Sequence, residues 1–389
     1  MASYSSYYGD VFDRIIVSLD EKRATRREET LASLIAALER FVPAGTLEGR
    51  YRDILRRCCV SIKKGSSKEA PLALRAVALL AITLCSGADS MKIMAAMFPL
   101  LTRIIEVLPD SRVVSAALEC LAVLAFICAE SLDHTEASMK LMWGLICPSS
   151  GPKVACAERT TSPRVLAAAV TAWTFVLTTL SGWKLTPGRW KQTTEFLSSL
   201  LNGDNRAVRM AAGEALAVCI ELKILVPSDK STFFPDMQAR ASQLATEAAG
   251  GGVDRTNFHE QKILFRMITA FLIHGEQPKQ SVWTSTARKE ALTVSTWTEL
   301  VQLNFLRFVL NDGFQNHLER QGLMRQVFVI KELSATKTPK NLKMDPRKST
   351  EQESKKQQRL QQNPKITEDK KRSLKKGRQR SYDTLIHEN

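Results

Sequence analysis

The sequence predicts an all-α protein: a solenoid of stacked helical repeats, then a short helical C-terminal module, then a basic disordered tail. Three observations carry that prediction. Through most of the first 333 residues apolar side chains recur at three- and four-residue spacing, the period of a buried helix face, and strict alternation is hard to find. Ala-rich segments return at a nearly constant interval. The apolar pattern then stops, and residues 331–389 hold 17 Lys+Arg against 8 Asp+Glu, more than half of the net charge of +15.

Composition sets the outer bounds. With 389 residues, 44 % of them hydrophobic, the chain can bury a large core as two or three units or as one elongated body. Its 8 Cys are too sparse for a disulfide scaffold, and a reducing compartment is expected. The Tyr/Ser-rich start, Met1–Asp10, does not read as a secretory signal. Val113–Ala129 is the most apolar run, but Glu119 in its middle argues for a buried helix over a membrane span.

The repeat follows from one kind of segment. Leu34–Leu38, Arg75–Leu79, Ser115–Glu119, Ala167–Thr171 and Met210–Glu214 look alike, and aligning Ala36, Ala76, Ala116, Ala168 and Ala211 gives spacings of 40, 40, 52 and 43. HEAT and armadillo units run at about 40–47 residues. The long spacing contains a turn-rich insertion from Cys147 to Pro163. Bulkier amphipathic stretches (Tyr51–Ile62, Met91–Leu108, Ala137–Ile146, Arg189–Leu201) alternate with the Ala-rich ones, so each pair needs its neighbours to cover its apolar face. Asp110-Ser-Arg, Ser162-Pro-Arg and Asp204-Asn-Arg supply N-cap side chains where three of the Ala-rich helices start. Phe233–Ala249 reads as one more helix, ended by Gly250–Gly252; Asn257–Ile273, Ala287–Leu310 and Gly313–Leu333 read as three helices of a cap or appended module. The expected organisation is a disordered N-terminus over 1–9, repeats over 10–252, a helical module over 253–333 and a largely disordered tail over 334–389.

No constellation for catalysis emerges, and the protein is expected to be neither an enzyme nor a binder of a cofactor, metal or small-molecule substrate. Cys58, Cys59, Cys85, Cys120, Cys128 and Cys219 sit in apolar helical stretches as small hydrophobes, and no C-x-x-C occurs. The five His are scattered. Phosphate-loop, Rossmann and nucleophile-elbow motifs are absent. Glu119 and Glu214 occupy equivalent points of two repeats, where an inter-helix hydrogen bond is the expected role and acid/base work the rival one. Trp143 and Trp173 read as core; Trp183 and Trp190 read as inter-repeat packing or, less favoured, an exposed peptide-binding surface.

The tail carries the strongest polar signal. Lys370, Lys371, Arg372, Lys375, Lys376, Arg378 and Arg380 fall within eleven residues that contain no acid. Such a block binds phosphates with counterion release, serves as a nuclear-import address, or is a solvated charged end. Arg307, Arg320 and Arg325 are supporting basic residues expected to orient the preceding module.

Several strings together resemble the interferon-related developmental regulator family: Ser61–Glu69, Leu118–Phe126, Ser138–Trp143, Val165–Trp173 and Arg206–Leu216, with Leu303–Leu318 and Met324–Phe328 matching that family's C-terminal region. The stretch Lys343–Thr350 departs from the family's pattern there while staying basic. The resemblance covers about residues 10–332. It implies an armadillo-like fold and a non-enzymatic regulator, either a nuclear transcriptional co-regulator or a factor bound to translationally idle ribosomes. The expected partners are thus proteins on the solenoid surface and RNA or a ribosome, without a membrane, in nucleus and cytoplasm. The alternative is a co-repressor scaffold whose tail is only an import signal.

Overall fold

The computed structural model describes residues 2–85, 88–108, 110–128, 132–147, 161–180, 187–224, 230–247, 255–285, 290–320, 322–328 and 330–332. Helices α1 (Ala2–Ser18) and α2 (Ala24–Glu39) open the chain, and α3 (Ala44–Leu47) is a single turn. Five antiparallel-type pairs follow among the described residues: α4 (Tyr51–Lys64) with α5 (Glu69–Leu84), α6 (Ala88–Val107) with α7 (Ser111–Cys128), α8 (Leu132–Ile146) with α9 (Pro163–Leu177), α10 (Pro187–Leu200) with α11 (Arg206–Glu221), and α12 (Lys230–Thr246) with α13 (Arg255–His274). Helices α2, α5, α7, α9, α11 and α13 stack side by side in one Ala-rich layer, and their partners form a second layer behind. This is an all-α helical solenoid, and its buried residues make one continuous cluster from Phe12 to Phe328.

Small residues explain the close stacking. Ala73, Ala76, Ala122, Ala169, Ala172, Ala212 and Ala217 are buried between neighbouring helices. At Gly213 a Cβ would sit 3.0 Å from both Ile268 Cδ1 and Phe265 Cε1, so α11 and α13 meet over the bare backbone there. The expected caps hold. Asp110 Oδ1 accepts from Arg112 N at 2.7 Å, Ser162 Oγ from Val165 N at 3.4 Å, and Asn205 Oδ1 from Val208 N at 3.2 Å. Most of the insertion expected between Cys147 and Pro163 lies outside the described residues. Helix α7 is long and apolar enough to cross a membrane by composition, but it lies inside the Ala-rich layer between α5 and α9.

Two expectations about the ends need correction. Residues 2–9, expected as a disordered end, are the first turns of α1. Their polar sequence has no apolar stripe, yet they extend a helix anchored by the buried Phe12 and Ile15, and extension adds a hydrogen bond per residue without the cost of a new nucleus. The boundary expected at 252 does not separate units: α13 pairs with α12 as the last repeat, and Met1–Glu332 form one compact unit.

The region expected as three further helices is mixed. Strands β1 (Gln280–Ser285) and β2 (Glu290–Val294) pair antiparallel with Val282 opposite Leu292, and β3 (Ile330–Glu332) adds to β2. Val282, Trp283, Thr284, Thr293 and Val294 are strand formers, which outweighs a helical reading of the apolar spacing. Helix α14 (Trp297–Leu310) starts at Thr296, whose hydroxyl accepts from Glu299 N at 3.1 Å while the Glu299 carboxylate accepts from Ser295 N at 2.7 Å. A 3-10 turn, Asn311–Gly313, leads into α15 (Phe314–Arg320) and α16 (Gly322–Val327).

Candidate functional site

The route of α14 shapes a cleft on the Ala-rich layer. It lies across the exposed side of the Ala-rich layer, touching α11, α9 and α5 in turn, and the 3-10 turn reaches α2. At one end the Glu221 carboxylate, at the C-terminus of α11, accepts from Trp297 N and Thr298 N, each at 2.8 Å. An anion there meets the positive end of the α14 dipole. In the middle Phe305 stacks on Phe175 with centroids 4.0 Å apart, and Phe175 stacks in turn on Phe126 at 4.6 Å. Gln302 donates to Thr178 Oγ1 at 3.1 Å. At the far end Arg75 donates to the Val309 carbonyl at 3.0 Å and pairs with Glu39 at 2.8 Å. Buried His317 donates from Nε2 to the Leu38 carbonyl at 3.0 Å.

Beside α14 the layer stays open as two adjoining clefts of about 440 and 990 Å³, which meet at Glu119 and Phe308. Phe308 is 56 % exposed, although its neighbour Phe305 is buried. The larger cleft has a floor of Ala167, Ala168 and Ala211 and takes in Glu119, Thr171 and Glu214, the residues three positions past the aligned alanines of α7, α9 and α11. The repeat thus sets out a row of polar side chains along one groove. Contrary to the expectation for Glu119 and Glu214, neither makes an inter-helix hydrogen bond among the described residues; both are half-buried and open to the cleft.

Desolvation pushes both acids up to about 7; for Glu119 the nearby Arg75 and Arg164 oppose that rise. An acid whose folded pKa lies above its ordinary 4.5 favours the unfolded state once it must ionise, so stability falls as pH rises from about 4.5 to 7 and stays lowered above that. Glu214→Gln is therefore expected to stabilise the protein by about 1–3 kcal/mol at pH 8 and by almost nothing at pH 4.5. Denaturant melts at the two pH values check this; an equal effect at both would contradict the burial of the charge.

The arginines around this cleft differ in availability. Arg209, only 8 % exposed, donates to the Gly203 and Asp204 carbonyls and to Glu247 and Gln261, fixing the loop before α11 against α12 and α13. Arg206 lies over the Phe258 ring at 4.9 Å, and the Nε atoms of both Arg206 and Arg209 are buried without a hydrogen-bond partner.

Of the residues singled out in the sequence, Arg307, Arg320 and Arg325 are exposed on α14, α15 and α16. Arg307 lies over Phe314 at 6.0 Å, and Arg325 donates to the Glu319 carbonyl at 3.3 Å. The contacts that fasten α14 and α15 to the repeats run through Glu221, Phe175, Arg75 and Leu38. The seven basic residues Lys370 to Arg380 lie outside the described residues, as does Trp183. Trp143 and Trp173 pack together at 5.2 Å, as expected of core. Cys58, Cys120, Cys128 and Cys219 are buried, and burial raises their thiols far above the range of a nucleophile. Among the described residues no group of three or more His, Cys, Asp or Glu is placed to hold a metal.

The sequence profile of the interferon-related developmental regulator family matches residues 6–272. The mouse (Mus musculus) interferon-related developmental regulator 2 is 28 % identical over 322 residues, covering 80 % of this chain and 70 % of its own. The pig (Sus scrofa) interferon-related developmental regulator 1 is 25 % identical over 325 residues, covering 81 % and 70 %. Among solved structures, an archaeal HEAT-like repeats protein from Thermococcus onnurineus aligns with a TM-score of 0.39 at 14 % identity, over 66 % of this chain and 88 % of that one.

Proposed function

This chain belongs to the interferon-related developmental regulator family, and on that premise we propose that it is a non-enzymatic regulator that engages RNA or idle ribosomes through α14–α16 and the basic tail. As a helical scaffold for protein interactions, it offers the open cleft of its Ala-rich layer to protein partners. The observation that carries the RNA reading is the charge of the C-terminal region. Seven basic residues fall within Lys370–Arg380, and the preceding helices present Arg307, Arg320 and Arg325 to solvent. Work in both nucleus and cytoplasm belongs to this reading.

The test is sedimentation of lysate on sucrose gradients at low and high salt, comparing the full chain with a variant in which the seven tail residues are Gln. The full chain is expected in ribosomal fractions at low salt and at the top in high salt. The variant is expected to lose ribosomes earlier, because each phosphate contact on single-stranded RNA contributes about 0.7 to the salt slope. A full chain that stays at the top of every gradient would sink the proposal. A second reading, a nuclear co-repressor scaffold, is favoured by the compactness of the same basic block; residues 366–389 moved onto an inert reporter would then bring it to the nucleus without retaining RNA.

A further inference from the structure

The larger cleft differs from the rest of the molecule in charge. On a chain with a net charge of +15, its lining gathers Glu119, Asp204, Glu214, Glu247 and Glu260 against Arg206 and Arg209, with Arg209 already committed to its own loop and to Glu247, while Arg75 and Arg164 act on Glu119 from the adjoining cleft. Two of those acids stand half-buried over a floor of alanines without a hydrogen bond, and Phe308 exposes its ring at the cleft's edge. Their carboxylates face the cleft and stay open to a partner's side chains, so a charge-assisted hydrogen bond can form there without breaking one inside the protein. With five acids against two arginines in its lining, the larger cleft suits a basic protein segment better than a phosphate.

We propose that the cleft between α14 and helices α7, α9 and α11 holds an extended segment of a protein partner, with basic side chains six residues apart on Glu119 and Glu214 and an apolar side chain between them against Phe308. The spacing follows from the repeat. Glu119 and Glu214 stand at equivalent positions two helices apart in the stack, and neighbouring axes lie about 8–10 Å apart, so the carboxylates are separated by roughly 16–20 Å. An extended chain covers that distance in about six residues at ~3.3 Å each, and an even number returns both side chains to one face. Thr171, midway along the row, meets the segment's backbone. This inference rests on the scaffold reading alone and is independent of the tail.

Fluorescence anisotropy with the full chain in 150 mM salt tests it. The probe is a labelled decapeptide of Ser and Leu with Lys at its second and eighth positions. Controls carry Gln at those positions, or carry the two Lys adjacent. The Lys probe is expected to bind, the controls to bind about tenfold more weakly, and Glu119→Gln with Glu214→Gln to remove a similar factor, the scale of a charge-assisted hydrogen bond. Both variants are expected to fold, since they relieve buried charge. Equal binding of the Gln and Lys probes, no loss in the double variant, no binding of the Lys probe at millimolar concentration, or a labelled oligo(U) competing it from the cleft would each overturn the proposal. Gradient sedimentation reads the tail and not the cleft, so failure of one experiment leaves the other standing.

Discussion

Replacing Arg27 with Ala is expected to destabilise the protein by about 3–5 kcal/mol, the loss seen when one partner of a buried ion pair is removed. Glu69, at the start of α5, is fully buried, and Arg27 Nε and Nη2 donate to its two oxygens at 2.8 and 2.9 Å. The same guanidinium donates from Nη1 to the Glu21 and Lys22 carbonyls at 2.8 and 2.9 Å, so one side chain ties the α1–α2 loop to the next repeat. Burial alone would raise the Glu69 pKa, but hydrogen bonds from Arg27 and Ser61 outweigh it and leave the carboxyl below its ordinary 4.5. The sign follows: this contribution is in place above pH 4.5 and is lost as pH falls through the lowered value. Urea denaturation at pH 7 gives the size. Arg27→Met with Glu69→Leu should recover much of the loss, because two apolar groups leave no stranded charge. A loss below about 1 kcal/mol in Arg27→Ala would mean that Glu69 finds water instead.

Gly313→Ala is expected to have the second large effect. A Cβ at Gly313 would run into the backbone carbonyl of Glu39, and no side-chain rotation relieves a clash with backbone. About 3 kcal/mol or more is the scale for overpacking at so rigid a contact. The 3-10 turn must then lift from α2, weakening the His317–Leu38 bond beside it. Hydrogen exchange checks this: amides of α14 and α15 should exchange faster, while those of α7 and α9 stay protected. Gly144 in α8 is a matched control, because a Cβ there meets nothing within 4 Å, and Ala should stabilise that helix by about 0.5–1 kcal/mol. Unchanged exchange in α14 would show that the turn does not hold the helix down.

What the sequence revealed and what it hid divide along a physical line. The repeat interval, the caps at Asp110 and Ser162 and the burial of Cys58, Cys120 and Cys219 are local, and a period of three to four residues displays them directly. The sheet was legible in part: Val282 to Thr284 with Thr293 and Val294 are strand formers, and Thr296-Trp-Thr-Glu299 is a helix-start signature that divides the expected helix Ala287–Leu310. The position of α14 was not legible. Arg75 meets Val309 across 234 residues and His317 meets Leu38 across 279, and no periodicity encodes such pairings. The repeat interval places Glu119 and Glu214 at equivalent positions. Only the structure shows that their side of each helix borders a groove instead of a neighbour.

Helix α14 and its turn join α11 to α2 over the face of the stack, and this changes how the stack behaves as a material. A solenoid built from nearest-neighbour contacts acts as a spring that bends easily and unravels from either end. A strut fastened to helices on both sides of the middle removes that compliance: α5, α9 and α11 cannot spread without breaking the Phe175–Phe305 stack or the Glu221 cap. The spacing of the carboxylate row is therefore a ruler of set length, which a flexible stack could not provide.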